Sequence, residues 1–187
     1  RRGSSGSTRP NARAAADGLV FGTYDTRQWR SKGVTGKKPF DRLVIVGGDE
    51  GATAAAERAA RVASWANRAR DLSNSPPNEL TPERLAERAA ELAPDGVQVE
   101  SFDRQQILDM NMGAFAAVAQ ASHNEPRLIV MRYEPDGAKG DLTLGLVGKA
   151  ITFDSGGYAL KPPLRMQDMK GDMCGGAAVV QGLAAVA

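Results

Sequence analysis

The feature that most constrains this chain is an apolar, β-branched run, Leu142 to Phe153, broken by one lysine and closed by one aspartate. It reads Gly145-Leu-Val-Gly-Lys149-Ala-Ile-Thr-Phe-Asp154-Ser-Gly-Gly157-Tyr-Ala-Leu-Lys161, and Met166-Gln-Asp-Met-Lys-Gly-Asp172-Met-Cys-Gly-Gly176 follows shortly after. A run of this kind predicts a buried strand. Lys and Asp are rarely buried without a partner, and a divalent cation is a favourable common partner for an amine and several carboxylates that converge. The glycines after Asp154 let the backbone turn sharply and approach a bound group. The expectation is half of a metal-dependent hydrolytic site, with the other half outside this chain.

The size and charge of the chain narrow the classes it can belong to. Its 187 residues, 42% hydrophobic and 25% charged, suit an ordinary globular chain of one domain or parts of two. The net charge is +2 with both signs interspersed, which gives no electrostatic case for nucleic acid or an anionic membrane surface. No segment approaches the roughly twenty apolar residues of a membrane span. The single cysteine, Cys174, excludes an internal disulfide and suits a reducing compartment, hence a cytoplasmic location. The start, Arg1-Arg-Gly-Ser-Ser-Gly-Ser, lacks the apolar core of a secretory signal and reads as a flexible tail or a loop cut from a longer chain.

Along the chain, Gly18 to Tyr24 reads as a short strand or a turn of helix, Gln28 to Lys38 as polar loop, and Leu43-Val-Ile-Val46 as a strand ended by Gly47-Gly48. These pieces resemble the last part of an α/β domain, residues 1–50. From Gly51 to Leu72 apolar residues at Ala55, Ala59, Val62, Ala66, Ala69 and Leu72 predict a long connecting helix over 51–73, broken by Ser73-Asn-Ser-Pro-Pro. Residues 74–187 then read as the first part of a catalytic domain. Thr81-Pro82-Glu83 is a helix start, with Leu85, Ala89 and Leu92 as its buried stripe. A strand at Val97, short helices at Arg104–Met110 and Ala114–Ala119, a strand at Leu128–Tyr133 and the run 142–153 follow, before a small-residue helix from Gly175. The fold class expected is α/β: a mixed, mostly parallel sheet flanked by helices, with the tail end of a second α/β domain joined by the long helix.

Four charged residues carry the chemistry: Lys149, Asp154, Lys161 and Asp172. In α/β sheets ligands gather beyond the carboxyl ends of strands, where Asp154 and its glycine turn should lie. Carboxylates suit a hard or borderline divalent ion, and an amine joins only when deprotonated, so a metal role for Lys149 requires a lowered pKa. Lys161, kept protonated, would stabilise negative charge on a carbonyl oxygen. No phosphate-binding glycine pattern surrounds Gly156-Gly157, the one histidine, His123, is remote from Cys174, and the methionines near 166–173 would serve equally as core fillers.

These strings, Val147 to Gly157, Leu160-Lys161 and Met169 to Gly175, resemble the leucyl aminopeptidase (cytosol aminopeptidase) family, as does Asn74-Ser-Pro-Pro-Asn-Glu-Leu-Thr-Pro82. The resemblance implies a two-metal exopeptidase that removes N-terminal residues from peptides. It implies metal ligation by Lys149, Asp154 and Asp172, with Asp154 bridging two ions and Asp172 also facing the substrate amine. Lys161 would polarise the scissile carbonyl, and Met169 would line the pocket for the first side chain. Two divalent ions are implied, manganese or zinc with magnesium or cobalt as other options, and so is a homohexamer. Two departures stand out: Ala150 occupies a position where glycine is usual, and the family's second acidic string, Asn-Thr-Asp-Ala-Glu-Gly-Arg, has no match here. An incomplete ligand set predicts weak metal affinity for this piece alone, and a catalytically inactive relative or fragment acting as scaffold or oligomer subunit is the alternative reading.

Overall fold

A computed structural model describes residues 8–27, 29, 42, 44–46, 49–138 and 142–187. Contacts divide the chain into two units, Arg1–Arg68 and Ala69–Ala187. In the first, helix α1 spans Thr8–Gly22 and buries Ala12 and Ala16, four residues apart on one face. The segment Gly18–Gly22, expected as a short strand or a turn of helix, is the latter: the end of an alanine-rich helix. Helix α2 spans Glu50–Asn74, and the Asp49 carboxylate accepts from the Ala52 N–H at 2.8 Å at its start. Ala52, Ala59, Ala63 and Leu72 are buried along it, whereas Val62, expected in the stripe, is exposed and its neighbour Ala63 takes the buried place.

The expected strand at 43–46 does not form over its described part. Val44, Ile45 and Val46 are exposed and unpaired in any strand, while Leu43, Gly47 and Gly48 lie outside the described residues, as do most of the 28–38 loop and residues 1–7 of the tail.

The second unit is built on a small apolar centre. Leu72, Leu80, Leu85, Met173 and Ala177 form its cluster, with Ala69, Ile129 and Ala150 packed against it. Helix α3, Pro82–Leu92, starts as its sequence dictates: the Thr81 hydroxyl accepts from the Arg84 N–H, Pro82 takes the first helical position, and Leu85, Ala86 and Ala89 are buried. Leu92, expected in that stripe, is only half-buried.

Strands β1 (Val97–Phe102) and β2 (Leu128–Tyr133) pair antiparallel, from Val97 opposite Tyr133 to Phe102 opposite Leu128. Between them lie α4 (Arg104–Asp109) and α5 (Gly113–Val118). Helix α4 has a reciprocal cap, in which Asp103 accepts from the Gln106 N–H and Gln106 returns an acceptor to the Asp103 N–H. A 3-10 helix, Met166–Met173, runs directly into α6, Cys174–Val186, which buries Gly176, Ala177, Val180, Gln181 and Ala184.

The described sheet thus has two strands and is antiparallel. The run 142–153 is not a strand among the described residues: Leu142, Leu144 and Val147 are open to solvent, and no described strand lies beside it. Its composition satisfies a strand, but a strand exists only as half of a ladder, and β1 and β2 pair with each other. Among the described residues, no helix is long and apolar enough to cross a membrane.

Replacing the cap by Thr81→Ala should lower stability by about 1 kcal/mol, the usual worth of such a cap. A chemical-denaturation midpoint indistinguishable from the parent's would contradict this role.

Candidate active site

The four charged residues meet in two ion pairs. The run 147–150 passes directly over the start of α6, where the Gly176 N–H donates to the Lys149 carbonyl at 2.6 Å. Glycines make this approach possible. A Cβ on Gly148 would overlap the Gly175 carbonyl oxygen, and one on Gly176 would lie 2.6 Å from the Ala150 Cβ. The backbone bearing Lys149 is thereby held against the backbone following Asp172. The alanine at 150 fills the space that Gly176 leaves open.

Lys149 Nζ lies 2.6 Å from Asp172 Oδ2. That oxygen is buried and takes no hydrogen bond from any other group, so the Lys149 amine is what balances its charge. The Asp172 contact raises the Lys149 pKa above the ordinary lysine value, against partial desolvation, and the charge of Asp154 adds to it. The direction is opposite to the lowered pKa that a metal-binding amine needs. Its neighbours are carboxylates, which favour the ammonium form.

The second pair forms across the turn 154–161. Lys161 Nζ donates to Asp154 Oδ2 at 2.9 Å, while the Gly156 N–H donates to Asp154 Oδ1 at 2.9 Å. The Lys161 N–H also donates to the Ser155 carbonyl, closing the loop on itself. Gly156 and Gly157 both adopt positive φ, at 89° and 64°, and a Cβ on Gly156 would overlap the Ala159 carbonyl oxygen, so the paired glycines are a steric requirement of this turn. The hydrogen bond from Lys161, and then that from Gly156, lowers the Asp154 pKa below the ordinary carboxylate value, and Lys149 contributes at longer range. The two pairs are therefore close enough to feel one another.

Met169 reaches the same place from the 3-10 helix: its sulfur accepts from Lys161 Nζ at 3.0 Å. Sequence reasoning missed Lys170. Its amine donates to the Asn74 carbonyl at 2.9 Å, satisfying an orphan acceptor at the end of α2 and fixing the 3-10 helix between Met169 and Asp172. Its position inside the Met169-Lys-Gly-Asp172 string was the only available signal. Cys174 is exposed as the first residue of α6 and is free.

The arrangement partly fits a cation. Asp172 carries a buried oxygen matched by the Lys149 amine, and Asp154 has one oxygen oriented by backbone while the other is matched by an amine. No group of three or more His, Cys, Asp or Glu suited to holding a metal ion occurs among the described residues. A cation gripped here would use two carboxylates and the Lys149 amine, a set that leaves room for further ligands. Two surface hollows among the described residues, of about 310 and 360 Å³, lie elsewhere and share Arg104.

A fold of this kind, with interleaved lysines and aspartates at a glycine turn and a helix start, has its counterpart in a known peptidase class. Residues 67–187 match the family described as the cytosol aminopeptidase family, catalytic domain, and the chain belongs to that family. A probable cytosol aminopeptidase of Methylorubrum populi is 42% identical over 185 residues, covering 95% of this chain and 36% of that protein. One of Solibacter usitatus is 37% identical over 177 residues, covering 94% of this chain and 36% of its own length. Among solved structures, the bottromycin maturation enzyme BotP in complex with Mn superposes with a TM-score of 0.83 at 35% identity, covering 100% of this chain and 38% of that one. A tomato leucine aminopeptidase mutant gives 0.81 at 30% identity, covering 98% and 36%. The chain thus spans little more than a third of the length of these relatives.

Gly148→Ala should force apart the run and α6 and lower stability by about 1–3 kcal/mol, as overpacking does. Gly182→Ala, with nothing within 4 Å of the added methyl, should instead be neutral or stabilising by up to about 1 kcal/mol through helix propensity. Denaturation midpoints of the two variants, measured side by side, check the contrast.

Proposed function

We propose that the protein carrying this chain is a metal-dependent aminopeptidase of the leucine type, which hydrolyses N-terminal residues from peptides with two divalent ions. The observation that supports this most strongly is the convergence of Lys149, Asp154, Lys161 and Asp172 in two adjoining ion pairs. The family membership and the neighbour solved with Mn point the same way. Manganese or zinc are the ions favoured, with magnesium or cobalt as other options. The ions would supply Lewis acidity and a nucleophile at neutral pH.

In this reading Lys149, Asp154 and Asp172 would hold the ions. Asp172 also receives the substrate's free amino group, a cation of the same kind as the Lys149 amine that its buried oxygen now contacts. Lys161 donates to the scissile carbonyl, stabilising charge as it develops on that oxygen. Met169 lines the pocket for the first side chain. Asp154 stays oriented throughout because the Gly156 N–H grips its other oxygen.

The same reading extends to the whole protein. Residues 1–50 belong to the end of an N-terminal α/β domain, 51–73 to a connecting helix and 74–187 to the first part of the catalytic domain, whose complete sheet is mixed and mostly parallel. The run 142–153 becomes one of its strands once a partner is beside it. The complete enzyme works in the cytoplasm as a homohexamer on peptides, without nucleic acid or membrane partners.

A second reading, an inactive relative serving as scaffold or subunit, is favoured by the presence of only two converging carboxylates among the described residues. Tight binding of two ions per chain by the intact protein would contradict it.

The intact protein should hydrolyse leucyl-amide substrates with added manganese and stop on chelation, and Lys161→Ala should reduce kcat by about 10²–10³-fold, the range for loss of one charge-stabilising donor. A folded protein that turns over none of these substrates with manganese, zinc, magnesium or cobalt sinks the proposal. Because Asp172 favours the Lys149 ammonium and only the neutral amine ligates, manganese uptake should release a proton and strengthen as pH rises. Calorimetry in buffers of different ionisation enthalpy measures that proton, and uptake independent of pH would remove Lys149 from the ligand set.

A further inference from the structure

An ammonium has three N–H donors, and the structure accounts for two on Lys161. One goes to Asp154 Oδ2 at 2.9 Å and one to Met169 Sδ at 3.0 Å. Both anchors are themselves fixed. Asp154 is held through its second oxygen by the Gly156 N–H. Met169 stands on a 3-10 helix pinned by Lys170 to the end of α2 and by Met173 in the apolar cluster. The root of Lys161 is tied through its backbone N–H to Ser155. With two tetrahedral directions taken, the third is determined.

We propose that Met169 is a positioning residue for Lys161, its thioether holding the ammonium so that the remaining N–H is aimed in one direction. This rests on the reading of Lys161 as the donor to the substrate carbonyl. The sulfur is chemically suited to the task. It is a weak, uncharged acceptor, so it orients the amine without neutralising it, as a second carboxylate would. A lysine held by Asp154 alone is free to rotate about that one contact, and its donor would be aimed only part of the time.

This role separates from that of a pocket wall. In the intact enzyme, Met169→Leu conserves volume and removes the acceptor, whereas Met169→Gln restores an acceptor at similar length. Positioning predicts that Leu lowers kcat by about three- to tenfold, the worth of one modest hydrogen bond, by the same factor on leucyl, alanyl and phenylalanyl amides and with KM little changed. Gln should recover most of the loss.

A pocket wall that does not also position the amine predicts the reverse: Leu keeps kcat and changes only the ranking of substrates, and the polar Gln is the worse variant. Either result overturns the proposal. Crystal structures of the metal-free intact protein supply a readout independent of turnover. With the Asp154 contact kept, the Lys161 side chain should take more than one position about it in the Leu variant and a single position in the Gln variant. A single, unchanged Lys161 side-chain position in the Leu variant overturns the proposal whatever the kinetics show. If the parent protein has no peptidase activity, the functional reading fails on its own account, and the crystal comparison alone decides the role of Met169.

Discussion

Two lysine–aspartate contacts, Lys149 with Asp172 and Lys161 with Asp154, determine the character of this part of the molecule. Exposed ion pairs are worth little in stability, and these are partly exposed, so they do not hold the fold together. Their significance lies in the opposite direction. The chain brings four charges to one place by means that are mostly apolar or steric: an apolar cluster beneath, backbone packed on backbone at Gly148 and Gly175, and a turn that only glycines can make. The charges then compensate one another. A site assembled this way exists before any ligand arrives, and a ligand cation must compete with amines already in contact with the carboxylates.

That competition explains the direction of the ionisation shifts. Lys149 is driven towards its ammonium and Asp154 towards its carboxylate, each by its partner. Bringing in positive charge would reverse the balance at Lys149 while leaving the carboxylate form of Asp154 favoured. Residues that look interchangeable in a list of ligands therefore differ in chemistry: one must give up a proton, the others need not.

Much of this was legible in the sequence because short, local signals fixed it. Thr81-Pro82 announced a helix start, the tandem prolines at 76 and 77 ended α2, and the paired glycines at 156 and 157 marked a turn. The spacing of the four charged residues was readable for the same reason, since the turn and the helix start that bring them together are local. What failed was non-local. The run 142–153 has the composition of a strand, but whether it pairs depends on a neighbour that composition does not describe. The antiparallel pairing of β1 with β2 was likewise invisible, because alternating helices and strands suggested parallel order. The part played by Lys170 depends on a carbonyl 96 positions away in sequence, a separation at which residue type carries no information.

The facing of Ala150 and Gly176 has a consequence for how such sequences diverge. Their Cβ positions are so near that the interface accepts a single methyl. A lineage can put it on the extended segment or on the helix, but a chain acquiring it on both sides would pry the lysine from its acid. The two positions should therefore drift as a linked pair, and even with glycine at 150 a methyl at 176 would sit 3.2 Å from the facing backbone, so the helix glycine gives way only if that backbone shifts slightly.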